Sequence, residues 1–190
     1  MSLDALARTA ALDRTRVDAT LSRWPGIYRD DEERVIGYWG LTIAETPHRM
    51  LVDGRRVYAW CAWDTLFLPE LLGSAAQVES SCPVSGAKIA LEVGPEGVAC
   101  EGEQPLVSFI VPDPRKAAAD VVRSFCHYVH FFAGEAAARQ WIAAHPGTVV
   151  ATPDEAWELG RLRNAGCYPG RQFNFIRGSV GSIPRSTKAA

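Results

Sequence analysis

The stretch His48-Arg49-Met50-Leu51-Val52-Asp53-Gly54-Arg55-Arg56-Val57-Tyr58-Ala59-Trp60-Cys61-Ala62-Trp63-Asp64-Thr65 decides how the chain is read. His48–Val52 and Arg56–Trp60 are strand-like runs. Between them, Asp53-Gly54 supplies a dipeptide that accepts the positive φ of a tight hairpin turn. After Trp60 the alternation ends and a mostly apolar run begins, predicting a short helix from about Cys61 to Leu72. Pro69 would end or bend it. A hairpin that passes directly into a helix points to an α+β fold with antiparallel strands.

Downstream the same grammar continues. Ala76–Ser81, Lys88–Val93, Gly97–Glu101 and Leu106–Val111 read as short strands, separated by turn formers that include Pro83, Gly86 and Gly94-Pro95. A helix is expected near Pro114–Arg123, then an apolar strand around Cys126–Phe132. Glu135–His145 and Pro153–Asn164 have helical periodicity, with Thr148–Ala151 a strand between them. Upstream, Leu3–Thr9 and Arg14–Trp24 read as helices, Asp13 capping the second. Gly26–Arg29 and Val35–Ile43 then form a hairpin about the acidic turn Asp30–Glu33. That order resembles the latter part of a winged helix-turn-helix. The expected division is a shortened winged-helix-like unit over 1–45, a mixed, antiparallel short-strand core with flanking helices over 46–167, and a mobile basic tail over 168–190.

Composition narrows the function classes. The chain has 190 residues, 47% of them hydrophobic, with six Trp and seven Phe, enough for a sizeable core. Twenty basic against 22 acidic side chains speak against nucleic acid as a partner. Arg14, Arg16, Arg23 and Arg29 would be the phosphate contacts if the N-terminal unit did bind DNA. No apolar run approaches the ~18 residues of a membrane span. Met1 to Ala11 lacks the charged flank and apolar stretch of a secretory signal. Five cysteines, at 61, 82, 100, 126 and 167, form no C-x-x-C pair. Free thiols in a reducing cytoplasm are therefore expected.

Two segments can carry chemistry. If Cys61 opens a helix, Asp64 shares its face, and the helix dipole would draw the thiol pKa toward neutrality while the carboxylate opposes that. Such a pair exchanges protons and suits general acid–base work. The same residues also suit a buried Cys beside a capped helix start. In Ser124-Phe125-Cys126-His127-Tyr128-Val129-His130, a strand would put Cys126, Tyr128 and His130 on one face and His127 on the other. That alternation and the spacing disfavour a zinc site from Cys126, His127 and His130. Two thiolates beside a carboxylate instead suit a soft metal, mercury(II) above all. Cys61 and Cys126 could hold the mercury of an organomercurial while Asp64 handles the proton that releases its carbon.

At these residues the sequence resembles the organomercurial lyase (alkylmercury lyase) family, from about Leu6 to about Arg163. The matching pieces are Ile36-Gly37-Tyr38 with Gly40-Leu41-Thr42, the Tyr58–Leu66 segment, Ser81-Cys82 with Gly86, Ser124–Ala133, and Trp141 with the helix around Glu155–Gly160. Trp-Cys-x-x-Asp-Thr followed about 65 residues later by Ser-Phe-Cys is the specific combination. The resemblance implies cleavage of carbon–mercury bonds by protonolysis, releasing a hydrocarbon and mercury(II), as in mercury detoxification. It implies Cys61, Cys126 and Asp64 as catalytic and mercury-holding residues, Cys82 as a structural cysteine, and no organic cofactor. External cytosolic thiols, or mercuric reductase, would take the product. Trp63 stands where relatives often carry Leu, which would narrow the pocket.

Tyr58, Trp60, Trp63, Phe125 and Phe131 suggest an aromatic wall, with Trp60 the strongest candidate for a pocket neighbour. Cys100 and Cys167 match no functional position of the family; Cys167, on a mobile segment, could scavenge mercury. The rival to the lyase is a non-enzymatic mercury- or copper-binding or sensing protein with a winged-helix element. Asp64 separates the two, because capture alone needs only sulfur.

Overall fold

The Asp53-Gly54 hairpin forms as read. In the computed structural model, which describes residues 1–111, 113, 115 and 120–169, both turn residues take positive φ, 48° and 71°. Strands β4 (His48–Val52) and β5 (Arg55–Ala59) pair around them. Every second side chain of β4 is buried, from His48 through Met50 to Val52. This hairpin is the middle of an eight-stranded sheet. Its other members are β1 (Ile27–Arg29), β2 (Val35–Tyr38), β3 (Leu41–Thr42), β6 (Ala76–Ser81), β7 (Lys88–Gly94) and β8 (Gly97–Cys100). The order is β1-β2-β3-β5-β4-β6-β7-β8, and neighbours run antiparallel.

A second sheet, ordered β10-β9-β11, joins β9 (Leu106–Ile110) to β10 (Phe131–Phe132) and β11 (Thr148–Ala151). Helix α3 (Asp64–Leu72) packs against β4 and β7 on one side and α6 (Pro153–Cys167) on the other. Gly160 of α6 permits that crossing, because a Cβ there would lie 2.5 Å from Phe67 Cβ. A capping box between Thr152 and Glu155 starts α6. Helix α5 (Glu135–Ala144) lies beside the small sheet.

At the N-terminus, α1 (Leu3–Ala10) and α2 (Arg14–Leu21) precede the first hairpin, and Asp13 caps α2 by accepting from the Arg16 N–H at 2.8 Å. The expected strand Val35–Ile43 is two strands. Trp39, at φ 50°, and Gly40 turn the chain back, so β3 pairs with β5 and joins the N-terminal hairpin to the main sheet. Arg14 pairs with Asp4, Arg29 pairs with Asp18, and Arg23 donates to the Ala19 carbonyl.

The helix expected over Pro114–Arg123 falls largely outside the described residues; α4 (Val121–Ser124) is its visible end. The basic tail likewise lies outside them from residue 170 onward. The strand expected over Cys126–Phe132 is corrected. Cys126–Tyr128 is a 3-10 turn, and only Phe131–Phe132 is strand. The reason is local: the Tyr128 N–H donates to the Phe125 carbonyl and the Val129 N–H to the Cys126 carbonyl, extending α4 as a tight turn. Cross-strand partners, Leu106 and Val107, become available only at Phe131–Phe132.

Candidate active site

Two neighbouring side chains, Cys61 and Asp64, meet a third from far along the chain, Cys126, where the main sheet ends and α3 begins. The sulfurs of Cys61 and Cys126 and a carboxylate oxygen of Asp64 all lie within 4.8 Å of one another. All three residues are buried, Cys61 completely. Among the described residues no other Cys, His, Asp or Glu trio gathers this closely.

The loop that presents Cys61 is built from short-range bonds. Ala59, Cys61 and Ala62 have no exposed surface, and the two alanines leave room for the chain to turn inside the core. The Cys61 N–H donates to Asp64 Oδ2 at 3.0 Å. Thr65 Oγ1 and the Thr65 N–H both donate to the Ala62 carbonyl. Helix α3 therefore starts at Asp64, with Trp63 as its N-cap, and not at Cys61 as expected. The carboxylate occupies the first helical turn, where the dipole favours an anion. Cys61 sits outside that turn and loses the stabilisation a leading position would give.

The Cys126 loop is tied to the Cys61 loop directly, by the Ala62 N–H donating to the Val129 carbonyl at 3.1 Å. Ser108 of β9 clamps it from below. Its hydroxyl donates to the Tyr128 carbonyl at 2.6 Å and accepts from the His130 N–H at 3.0 Å. Gly40 comes up on the far side of Asp64. A Cβ at that position would lie 2.5 Å from Asp64 Oδ1, so only glycine lets the β2–β3 turn approach the carboxylate. No sequence pattern pointed to this contact; the Trp39-Gly40 dipeptide was the available signal.

Burial dominates the proton balance. It pushes the Asp64 carboxyl up to about 7, although the hydrogen bonds with Cys61 and the nearby Arg163 guanidinium pull the other way. Arg163 itself is held over the rings of Phe67 and Trp39, at 4.5 and 5.4 Å. The Cys61 thiol is driven well above its ordinary value, first by burial, then by its hydrogen bond with Cys126 and the neighbouring charges of Asp64 and Cys126. This reverses the lowering expected from a helix N-terminus: Cys61 precedes the helix, and desolvation outweighs any dipole effect. Near neutral pH the site stores protons beside a sulfur pair.

The other candidates are dispersed. Cys82 is buried in the β6–β7 turn, apart from the trio. Burial opposes its ionisation, but hydrogen bonds from Ser85, Ala133 and Val84 leave its pKa below the ordinary thiol value. Cys100 is half-buried on β8 and Cys167 is exposed at the end of α6. Cys126 gathers with Cys61 and Asp64, not with the histidines; His130 Nε2 meets the His127 carbonyl instead.

Of the aromatic residues, Tyr58 turns outward to Glu45 and Phe131 packs on His48 in the core. Trp63 donates its indole N–H to the Ala156 carbonyl at 2.8 Å and stacks edge-on with Phe67, Phe109 and Phe125. It thus stitches α3 to α6. Trp60, beside Cys61, has its ring 5.1 Å from that of Tyr28. Its buried indole N–H finds no acceptor among the described residues.

Comparison with known proteins gives this arrangement a lineage. The MerB family model, described as alkylmercury lyase, matches residues 41–163, a span that includes Cys61, Asp64 and Cys126. An alkylmercury lyase of Pseudomonas putida is 42% identical over 163 residues, 85% of this chain and 75% of the relative. Alkylmercury lyases of Bacillus cereus and Streptomyces lividans are 38% and 40% identical, over 85% and 80% of this chain and 73% and 70% of their own lengths. The crystal structure of the mercury-bound form of MerB2 covers 85% of this chain and 80% of its own, with a TM-score of 0.67 at 24% identity. That likeness shows a shared mixed α+β fold. On the strength of the matched core and these relatives, the chain belongs to the alkylmercury lyase family.

Proposed function

We propose that this protein is an organomercurial lyase in which Cys61 and Cys126 hold the mercury and Asp64 manages the proton. It cleaves the carbon–mercury bond of an organomercurial, giving a hydrocarbon and mercury(II). The observation that carries the reading is the convergence of two buried sulfurs and one carboxyl of raised pKa within 4.8 Å of one another.

The steps follow from that proton balance. A sulfur–mercury bond forms as one thiol gives up its proton, and Asp64, the adjacent base, receives it. The second thiol's proton leaves with the ligand that mercury brought, a small thiolate for example, and the second sulfur–mercury bond raises electron density on the mercury-bound carbon. The protonated Asp64 then delivers its proton to that carbon as the carbon–mercury bond breaks, and the electron pair of that bond becomes the new C–H bond. Asp64 leaves as carboxylate and mercury(II) stays on the two sulfurs. No redox change occurs and no organic cofactor is needed. Small thiols, or a mercuric reductase, remove the metal and return protons to the cysteines. Burial favours this sequence: it holds the Asp64 carboxyl at about 7, where it can both take up and give back a proton near neutral pH, keeps the Cys61 thiol protonated at rest, and excludes competing water.

Residues 46–167 form the catalytic core in this reading, 1–45 an N-terminal unit of winged-helix type, and 168–190 a basic tail. The setting is cytoplasmic, where reducing conditions keep the thiols free. Mercury or copper capture without cleavage would leave Asp64 with no task. Incubation with phenylmercury and excess thiol separates the two readings. A lyase releases benzene over many turnovers, whereas one stoichiometric binding event without benzene would refute it. Cys61→Ser and Cys126→Ala should each abolish release.

A further inference from the structure

An open cavity of about 760 Å³ lies beside the site, lined among others by Tyr28, Trp39, Trp60, Val121 and Val122. Its walls belong to the elements that carry the two sulfurs. Trp60 immediately precedes Cys61, and Val121-Val122 belong to α4, which runs directly into the Cys126 turn. The third wall is Tyr28 of β1, whose ring meets that of Trp60 at 5.1 Å and 60°. β1 is held in place by its pairing with β2, where Tyr28 lies opposite Gly37. Gly37 in turn admits the Trp60 indole, because a Cβ there would lie 2.8 Å from Trp60 Cζ2. The one polar edge of the cavity, Asp120 and Arg123, is internally paired at 3.5 Å. The lining is thus aromatic and aliphatic, with its charges cancelled.

We propose that this cavity is the subsite for the organic group bonded to mercury, and that Tyr28 sets the preference for aryl over methyl groups through its ring. The inference deepens the lyase reading and rests on it for the identity of the ligand. Thiolate, mercury and carbon in a two-coordinate adduct lie close to a line, so the organic group must project away from the attacking sulfur into neighbouring space. The Trp60–Tyr28 pair offers it a tilted aromatic corner, the geometry in which ring–ring contacts are favourable. The hydroxyl of Tyr28 adds no charge: burial above all, then the charges of Cys126, Asp120 and Asp64, push its pKa up to about 12.

The test compares phenylmercury with methylmercury on the full chain and on Tyr28→Ala, Tyr28→Phe and Val121→Trp. Two readouts are used: KM and kcat for hydrocarbon release, and the partition of each organomercurial between protein and excess small thiol, read by intact mass. Tyr28→Ala should raise the phenylmercury KM and weaken its partition by roughly 2- to 10-fold, the size of one aromatic contact. Methylmercury should move much less. Tyr28→Phe keeps the ring and should rescue the aryl preference. Val121→Trp fills the opposite wall from a position that is 39% exposed, and should exclude phenyl before methyl. If Tyr28→Ala fails to fold, Val121→Trp decides alone. Parallel shifts for both substrates, or none, overturn the subsite even with turnover intact. Aryl-selective partition without hydrocarbon release would instead overturn the lyase reading and leave the subsite standing.

Discussion

In the proposed mechanism Asp64 takes up and returns the proton, and its surroundings give it a measurable signature. Its carboxyl rises from 3.8 to about 7 because the folded protein buries it. The folded state therefore binds more protons than the unfolded state between those values, and stability should fall as pH rises through that window. The loss should be on the order of a few kcal/mol, reduced by whatever water reaches the site. Asp64→Asn should flatten that slope in urea titrations from pH 4 to 7. It should also retain mercury binding while slowing hydrocarbon release by roughly 10²- to 10⁴-fold, the usual contribution of a positioned acid–base group. An unchanged release rate would mean that another group supplies the proton. Gly40→Ala tests the same carboxyl from outside. The added methyl would overlap Asp64 Oδ1, so we expect about 1–3 kcal/mol of destabilisation and reduced turnover with both cysteines intact. Denaturant midpoints and benzene release measure the two effects.

At the scale of elements, the site depends on two loops that no periodicity describes. The Cys61 loop ends β5 and the Cys126 turn ends α4, and a backbone bond from Ala62 to Val129 locks one to the other. Ser108 is the keystone below them, fully buried on β9 and bonded to both Tyr128 and His130. Ser108→Ala would leave a part-buried carbonyl and a part-buried N–H without their partner, at a cost of at most about 1–3 kcal/mol each. Because Cys126 rides on that turn, kcat should drop while the thiol count stays unchanged. Ser108→Thr, which restores a hydroxyl, should recover part of both losses. Equal turnover in Ser108→Ala would show that Cys126 needs no such clamp. These are also the elements where sequence reading was least successful. Alternation in Cys126–Phe132 suggests a strand, yet i→i+3 bonds within the turn form before any partner strand is within reach. The helix from Cys61 begins three residues late because the Asp64 carboxylate folds back onto the Cys61 N–H.

For the whole molecule, the N-terminal hairpin is continuous with the main sheet through β3 and β5, and the β2–β3 turn carries Gly40 to the carboxyl. Three of the four arginines named as phosphate contacts are engaged locally: Arg14 and Arg29 face acidic partners and Arg23 a backbone carbonyl. With a formal net charge of −2, the chain should show no salt-dependent shift on duplex DNA. A mobility shift at low salt that disappears as salt is raised would overturn this and give the N-terminal unit a partner.

Read alone, the sequence determined the hairpin at Asp53-Gly54, the antiparallel strands, helices read over Glu135–His145 and Pro153–Asn164, and the trio Cys61, Asp64 and Cys126 as candidates. These are legible because turn chemistry, side-chain alternation and residue type are local properties. Tertiary structure alone decided that the sulfurs meet, that the Cys61 thiol is raised and not lowered, and that Gly40 meets Asp64, Ser108 holds the Cys126 turn and Tyr28 meets Trp60. Desolvation and close approach depend on chain segments distant in sequence, and no short window of residues encodes them.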